Sequence, residues 1–302
     1  MAEITLREHL QEVRNDELAK LIYEIGRMSM DIRVEFPHRM IAEKGEKNKY
    51  GELAEELDVW CNKYYCDGFK KTGLVRAVYS EELKNPVRFE NDAPFVITID
   101  PLDGSSNVIS NNVLGAIIGI YRKDLPAKGR ELVASMYKLY GPMTTLVYTA
   151  GRGVHEFVKH RKGVMRYCLI HENMKLPEPG KVYGMGGSPT KWIPEFKEFV
   201  KGMSEEKKMK LRYCGTFVGD IAQVLHYGGF FGYPALVDKP QGKLRLFYEG
   251  IPMGNIIEAA GGLSSNGELS LLDIGCDDAD VRCPIYIGNR DLVLELEGKL
   301  KK

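Results

Sequence analysis

The sequence predicts a mixed α/β (α+β) protein built from two sheet-containing domains. Three patterns carry that reading: two helix-period segments near the N-terminus, a series of short β-rich runs after Leu74, and strands alternating with helices after a Pro-rich stretch. Asn15-Asp16-Glu17 reads as an N-cap with acids in the first turn, followed by Leu18, Leu21, Ile22, Ile25 and Met28 at helical spacing. That helix has to end before Pro37. A charged stretch of mobile character, Glu43 to Lys49, leads to a second helix with Leu53, Leu57, Trp60 and Tyr64 on its apolar face and Gly73 as its stop.

The β-rich runs are Leu74 to Tyr79, Phe95 to Ile99, Val113 to Tyr121, Leu132 to Leu139, Thr144 to Thr149 and Val154 to Val158. Gly, Pro or charged clusters separate them, as in a sheet with hairpin connections. Leu176-Pro177-Glu178-Pro179-Gly180 sets the domain boundary, giving an N-terminal α+β domain (1–178) and a C-terminal α/β domain (179–302). The second domain should hold strands at Val182 to Met185, Met209 to Cys214, Phe230 to Val237 and Leu244 to Tyr248. Its helices should span Pro194 to Met203, Val218 to His226 and Pro252 to Ala260, the last capped by Gly261-Gly262.

At 302 residues, with 44% hydrophobic and 28% charged residues, the chain has the composition of a globular protein with a large core. Its 42 basic and 42 acidic residues balance, and no basic run or basic amphipathic helix asks for nucleic acid or an anionic membrane as partner. Six scattered cysteines without metal-ligand spacing read as free thiols in a reducing compartment. The first residues lack a signal-peptide pattern and no apolar run approaches the roughly 18 residues of a membrane helix, so a cytoplasmic protein is expected.

Chemistry concentrates at Asp100-Pro101-Leu102-Asp103-Gly104-Ser105-Ser106-Asn107, directly after the apolar run Phe95 to Ile99. Asp-Pro cannot continue a central strand, so two carboxylates land at a strand end, where open α/β sheets bind ligands. The carboxylates suit a hard cation, and Gly-Ser-Ser offers N–H groups and hydroxyls to an anion. The competing reading is a solvated turn built from common turn residues. Further acids fall at useful places: Glu81 and Glu82 after the Leu74–Tyr79 strand, Glu249 after the Leu244–Tyr248 strand, and Glu52 and Asp58 at the second helix. If these converge, their repulsion needs divalent cations to offset it, and clustered metals beside a phosphate site point to phosphate monoester hydrolysis.

These segments resemble the class I fructose-1,6-bisphosphatase family of the inositol monophosphatase-like, metal-dependent phosphatase superfamily. The likeness is closest over Gly51 to Asp58, Ser80 to Glu82, Asp100 to Asn107 and Arg212 to Gly262, and Gly242-Lys243-Leu244-Arg245-Leu246-Phe247-Tyr248-Glu249 with Pro252-Met253 is its most specific block. The resemblance implies a layered α-β-α-β-α sandwich (the sugar phosphatase fold) and Mg²⁺-dependent removal of the 1-phosphate of fructose 1,6-bisphosphate, in gluconeogenesis or Calvin-type metabolism. It also implies two to three Mg²⁺ per site, with Mn²⁺ or Zn²⁺ as substitutes, and a dimer or tetramer of identical chains. By matching motif, Glu81, Asp100, Asp103, Glu249 and the Leu102 carbonyl would hold metal, while Glu52 stands where the family has Asp in a loop on the metal side. Asp58 and Glu82 would orient and deprotonate the attacking water, and Gly104, Ser105 and Ser106 would cradle the scissile phosphate. Tyr233, Lys243 and Arg212-Tyr213 would bind the retained phosphate, Arg212 by reaching into a neighbouring subunit, and Arg245 would also bind substrate.

Two departures bear on specificity. Gly186-Gly187-Ser188-Pro189 replaces the family's Asn and Tyr, which suggests a roomier pocket and brings in sedoheptulose 1,7-bisphosphate or inositol monophosphate as alternative substrates. A silent phosphosugar-binding regulator is the non-enzymatic alternative, which retention of both water-activating acids disfavours. The family's AMP-binding turn is missing near Asn15, and Pro94-Phe95 replaces its Lys-Tyr, although Arg122 is kept. AMP at micromolar concentration should therefore leave the rate of the purified enzyme unchanged, and strong inhibition in that assay would refute this expectation.

Overall fold

The structure is a computed structural model that describes residues 3–28, 35–38, 50–162 and 164–301, without the side chains of 50–53 and 161–165. Glu43 to Lys49 and the Glu52 side chain, both singled out above, lie outside the described residues. At the N-terminus come a single turn α1 (Leu6–His9), α2 (Asp16–Arg27) and the long α3 (Tyr50–Thr72). Asn15 caps α2 by accepting from the Leu18 N–H at 2.8 Å, and Gly73, at φ +66°, terminates α3 in the left-handed region.

The strands are β1 (Val75–Ser80), β2 (Val87–Arg88), β3 (Phe95–Asp103), β4 (Leu114–Tyr121), β5 (Ala127–Lys128), β6 (Ala134–Tyr140), β7 (Thr144–Thr149), β8 (His155–Lys162), β9 (Val164–His171), β10 (Val182–Met185), β11 (Lys210–Leu211), β12 (Gly229–Tyr233), β13 (Leu263–Ser265), β14 (Gly275–Cys276) and β15 (Ile285–Gly288). Among the described residues they form an eight-stranded sheet ordered β2-β1-β3-β4-β6-β7-β8-β9, a five-stranded sheet ordered β11-β10-β12-β15-β13, and a β14-β5 pair. Among the described residues, only β1 and β3 run parallel in the large sheet. The later helices are α4 (Pro194–Glu205), α5 (Phe217–Tyr227), α6 (Ile251–Ala259) and α7 (Arg290–Leu300).

Three apolar cores separate five layers. In the first, Leu21, Ile22 and Ile25 of α2 and Leu57 and Phe69 of α3 pack on Phe95, Ile97 and Ile99. In the second, Val96, Ile117 and Tyr137 on the opposite face meet Ile221 of α5, Ile256 of α6 and Ile285 and Ile287 of the small sheet. In the third, Phe230 and Tyr286 meet Phe196 and Phe199 of α4 and Val293 and Leu296 of α7. Neighbouring residues such as Phe230 and Phe231 enter different cores because strand side chains alternate faces. The result is the α-β-α-β-α sandwich, with α5 and α6 as the shared middle layer.

Two strand expectations fail, both at the chemistry. β3 does not stop before Asp100 but continues through Pro101 to Asp103. The segment around Leu244–Tyr248 is not a strand: Leu246–Gly250 forms a π-helical turn, with the Gly250 N–H on the Arg245 carbonyl at 3.1 Å, and it runs straight into α6. Its five residues are all buried, and a short continuous apolar run does not distinguish a strand from a buried helical turn. The series of β runs also leaves out β9, β13 and β15, and α7 was not assigned although Leu292, Val293 and Leu296 carry its helical period. All six cysteines are free thiols, and no helix among the described residues is long and apolar enough to cross a membrane.

Because both sheets share the middle core, the two halves should unfold together. Ile221→Ala, at a fully buried position there, should cost about 2–5 kcal/mol and lower a single denaturation transition. Separate transitions for the two halves in a chemical denaturation curve would contradict this.

Candidate active site

The site begins with a β-bulge. Asp100 stands opposite Ile117 and Asp103 opposite Gly115, so three steps along β3 answer two along β4. The extra residue reverses the alternation. Ile99 and Leu102 both pack in the first core, while Asp100 and Asp103 both turn to the other face and line a cleft of about 380 Å³. On a regular strand, residues three apart would point to opposite sides. A bulge also tolerates Pro101, which has no N–H for the ladder. The Leu102 N–H turns inward to the Asp100 Oδ1 at 3.0 Å, and with its side chain in the core Leu102 borders the cleft through its backbone.

Glu249 arrives from the π-helical turn before α6. Carboxylate oxygens of Asp100, Asp103 and Glu249 lie within 4.8 Å of one another, and all three residues are buried. Burial drives each acid toward its neutral form: Asp100 is raised well above the usual range, with the charges of Asp103 and Glu249 adding to the effect, Asp103 rises to about 6 and Glu249 to about 7. Opposing this, Asp103 Oδ2 accepts from the Val218 N–H at 2.6 Å in the first turn of α5, and Glu249 Oε2 accepts from the Arg245 N–H at 2.6 Å. Glu81 follows β1, its N–H bonded to the Ile99 carbonyl at 2.9 Å, and pairs with the Arg245 guanidinium. Asp58 on α3 is raised to about 7 by burial and by the charge of Glu82, against a hydrogen bond from Ser105, and Glu82 is raised by desolvation and by Glu55. An oxygen-only set crowded beyond what its own charges tolerate fits a hard divalent cation, whose charge makes the ionised form the stable one.

Beside the acids lies an anion cradle. Gly104 adopts φ +83°, and a Cβ there would sit 2.0 Å from Thr216 Cγ2, so backbone conformation and space both require glycine. Thr216 caps α5 by accepting from the Gly219 N–H at 3.1 Å. The N-terminus of α5 thus faces the same cleft as Ser105 and Ser106.

Another stretch of the wall is basic and aromatic, and Arg245 joins it to the acids through its pairing with Glu81. Tyr213, Tyr233, Lys243, Arg245 and Arg282 line it, with Lys243 Nζ 5.9 Å from the Tyr233 ring centre and Arg282 bonded to the Lys243 carbonyl. Asn107 ties the cradle to this wall by donating to the Cys214 carbonyl at 2.9 Å and the Val113 carbonyl at 3.0 Å. Asp220 holds the same loop, accepting from the Cys214 N–H at 2.9 Å.

The cleft therefore gathers Asp58, Glu81, Glu82, Asp100, Leu102, Asp103, Gly104, Ser105, Ser106, Tyr213, Tyr233, Lys243, Arg245 and Glu249. Arg212 stays outside, exposed, its guanidinium 5.6 Å from the Tyr227 ring centre. Gly186 does not make the pocket roomier: its missing Cβ would lie 2.1 Å from Tyr233 Cδ2, so the space holds the Tyr233 ring. Thr216, Phe217, Asp220 and Arg282 also line the cleft and were not singled out. Thr216 carried a signal, an N-cap residue at a helix start, whereas Arg282 reaches the site through an isolated bridge to Arg245 that no local pattern announces.

The raised acids bind protons more tightly folded than unfolded, so stability without metal should fall as pH rises from about 4 through about 7. A divalent cation should accordingly raise the melting temperature more near pH 8 than near pH 5, which differential scanning calorimetry checks. An equal shift at both pH values would contradict the site.

Residues 5–172 match the family "Fructose-1-6-bisphosphatase, N-terminal domain" and residues 176–301 match "Fructose-1-6-bisphosphatase, C-terminal domain". The class 1 fructose-1,6-bisphosphatase of Natronomonas pharaonis is 38% identical over 285 residues, covering 94% of this chain and 99% of that protein. That of Pelobacter propionicus is 40% identical over 298 residues, covering 97% and 91%. The crystal structure of Leishmania major fructose-1,6-bisphosphatase in holo form superposes over 100% of both chains with a TM-score of 0.88 at 29% identity. The chain belongs to the class 1 fructose-1,6-bisphosphatase family.

Proposed function

We propose that this chain hydrolyses the 1-phosphate of fructose 1,6-bisphosphate, giving fructose 6-phosphate and inorganic phosphate, with Mg²⁺ as its cation. The observation that carries this reading is a single cleft lined both by a carboxylate cluster with an anion cradle and by Tyr213, Tyr233, Lys243, Arg245 and Arg282. Such a cleft suits a molecule with a phosphate at each end. Glu81, Asp100, Asp103, Glu249 and the Leu102 carbonyl would hold two to three Mg²⁺ ions, with Glu52 assigned to the same side on sequence alone. When bound, the metal supplies charge to polarise the phosphoryl group and to steady the leaving oxygen.

The protein's own groups do the rest. Gly104, Ser105, Ser106 and the N-terminus of α5 cradle the phosphate and hold its phosphorus in line with an attacking water. Asp58 and Glu82 orient that water and take its proton, and an acid held at about 7 is matched to that task near neutral pH. Lys243, Tyr233 and Tyr213 hold the retained phosphate by charge-assisted bonds remote from the chemistry. Arg212, exposed and off its own cleft, supports an assembly of at least two identical chains in which it serves a neighbour's site. The division at 178/179 then separates most metal ligands from the sugar-phosphate wall.

Asp100→Asn should lower kcat roughly a hundredfold or more, because a ligand to the reacting centre is lost. Lys243→Ala should mainly raise KM, by about ten- to a hundredfold, as expected for one charge-assisted bond. Phosphate release from fructose 1,6-bisphosphate, sedoheptulose 1,7-bisphosphate and inositol 1-phosphate, each with and without Mg²⁺, tests the assignment. Unimpaired turnover by Asp100→Asn, or preference for either other substrate, would overturn it.

A further inference from the structure

We propose that Glu156, His171 and His226 form a second metal site, separate from the carboxylate cleft and suited to a divalent transition ion of the Zn²⁺ class. Glu156 lies on β8, His171 stands directly opposite it at the end of β9, and His226 comes from the last turn of α5. His171 Nδ1 is 2.8 Å and His226 Nε2 3.1 Å from the same oxygen, Glu156 Oε2. The two rings meet edge to face with centres 5.2 Å apart.

Chemistry and burial point to a particular kind of ion. Two imidazole nitrogens and one carboxylate oxygen are a set that Zn²⁺ and its neighbours take with an open position for water, whereas Mg²⁺ favours oxygen alone. Glu156 is 5% exposed, while His171 is 50% and His226 33% exposed, so the carboxylate is fixed in the protein and the imidazole side opens to solvent. The group His9, His155 and Glu172 is less suited: His155 already uses Nε2 on the Arg152 carbonyl at 2.9 Å and Nδ1 on the Asn173 N–H at 3.4 Å.

The position gives the site a structural consequence. The first turn of α5 bonds Asp103 in the cleft, and its last turn carries His226. Over 11 residues the helix spans about 16 Å, so an ion at its far end would fasten to the large sheet the element that supports the anion cradle. Protons compete for the same nitrogens. A proton on either imidazole excludes the ion, so binding should weaken as pH falls.

The test is equilibrium dialysis of the untagged full-length protein against Zn²⁺ with Mg²⁺ in large excess. Wild type and Asp100→Asn should each retain one Zn²⁺ that Mg²⁺ does not displace, and it should stabilise both against heat. In the His171→Gln/His226→Gln double variant, which keeps side-chain donors to Glu156, binding should weaken by about a hundredfold or more. Equal Zn²⁺ affinity in the double variant, or complete displacement by Mg²⁺ in wild type, would overturn the proposal. Should the double variant not fold, Co²⁺ added to Mg²⁺-saturated wild type answers the same question. The intense visible band of four- or five-coordinate Co²⁺ supports the site, and a spectrum of hydrated Co²⁺ alone overturns it.

Discussion

Three carboxylates within 4.8 Å of one another in a buried setting are the constraint around which this protein is built. Burial and their mutual repulsion push each of them toward its neutral form. Every element at the site helps make them tolerable. The bulge at Pro101 and Leu102 aims Asp100 and Asp103 the same way, the first turn of α5 donates to Asp103, and the backbone at Arg245 donates to Glu249. The Arg245 guanidinium adds one positive charge beside Glu81, and the remaining acids leave the rest of the compensation to divalent cations.

The layered architecture makes the arrangement possible. The large sheet delivers Asp100, Asp103 and Glu81 from two parallel neighbours, with Ser80 at the end of β1 opposite Ile99, one residue before Asp100 on β3. The middle layer contributes Glu249 from the turn before α6 and the cap of α5. Basic groups come from segments near Lys243 and Arg282, which are joined by a bridge between Arg245 and Arg282.

Much of this was legible in the sequence, and the failures are physically instructive. Hydrophobic periodicity located most elements of the five layers, and the acids on Asp58, Glu81, Glu82, Asp100, Asp103 and Glu249 do converge on one cleft. What local rules missed is how they converge. Pro101 was read as ending a strand because a proline gives the ladder no hydrogen bond, whereas the chain absorbs it in a bulge that also reverses the side-chain alternation. Glu249 reads as a strand end because five buried residues carry no period, whereas the bonds from Gly250 to Arg245 and from Ile251 to Leu246 make a π turn. Gly186 looked like empty space because its filling comes from Tyr233, 47 residues later in the chain. Such contacts are tertiary, and no window of sequence contains them.

The central claim is that Asp100, Asp103 and Glu249 are gathered to hold a cation. Crystals grown with Mn²⁺ in place of Mg²⁺ test it most directly through anomalous scattering at the manganese edge. The expected result is an anomalous peak bounded by the carboxylates of Asp100, Asp103 and Glu249. A fully occupied Mn²⁺ peak elsewhere, with these three acids bonded only to protein and water, would contradict it.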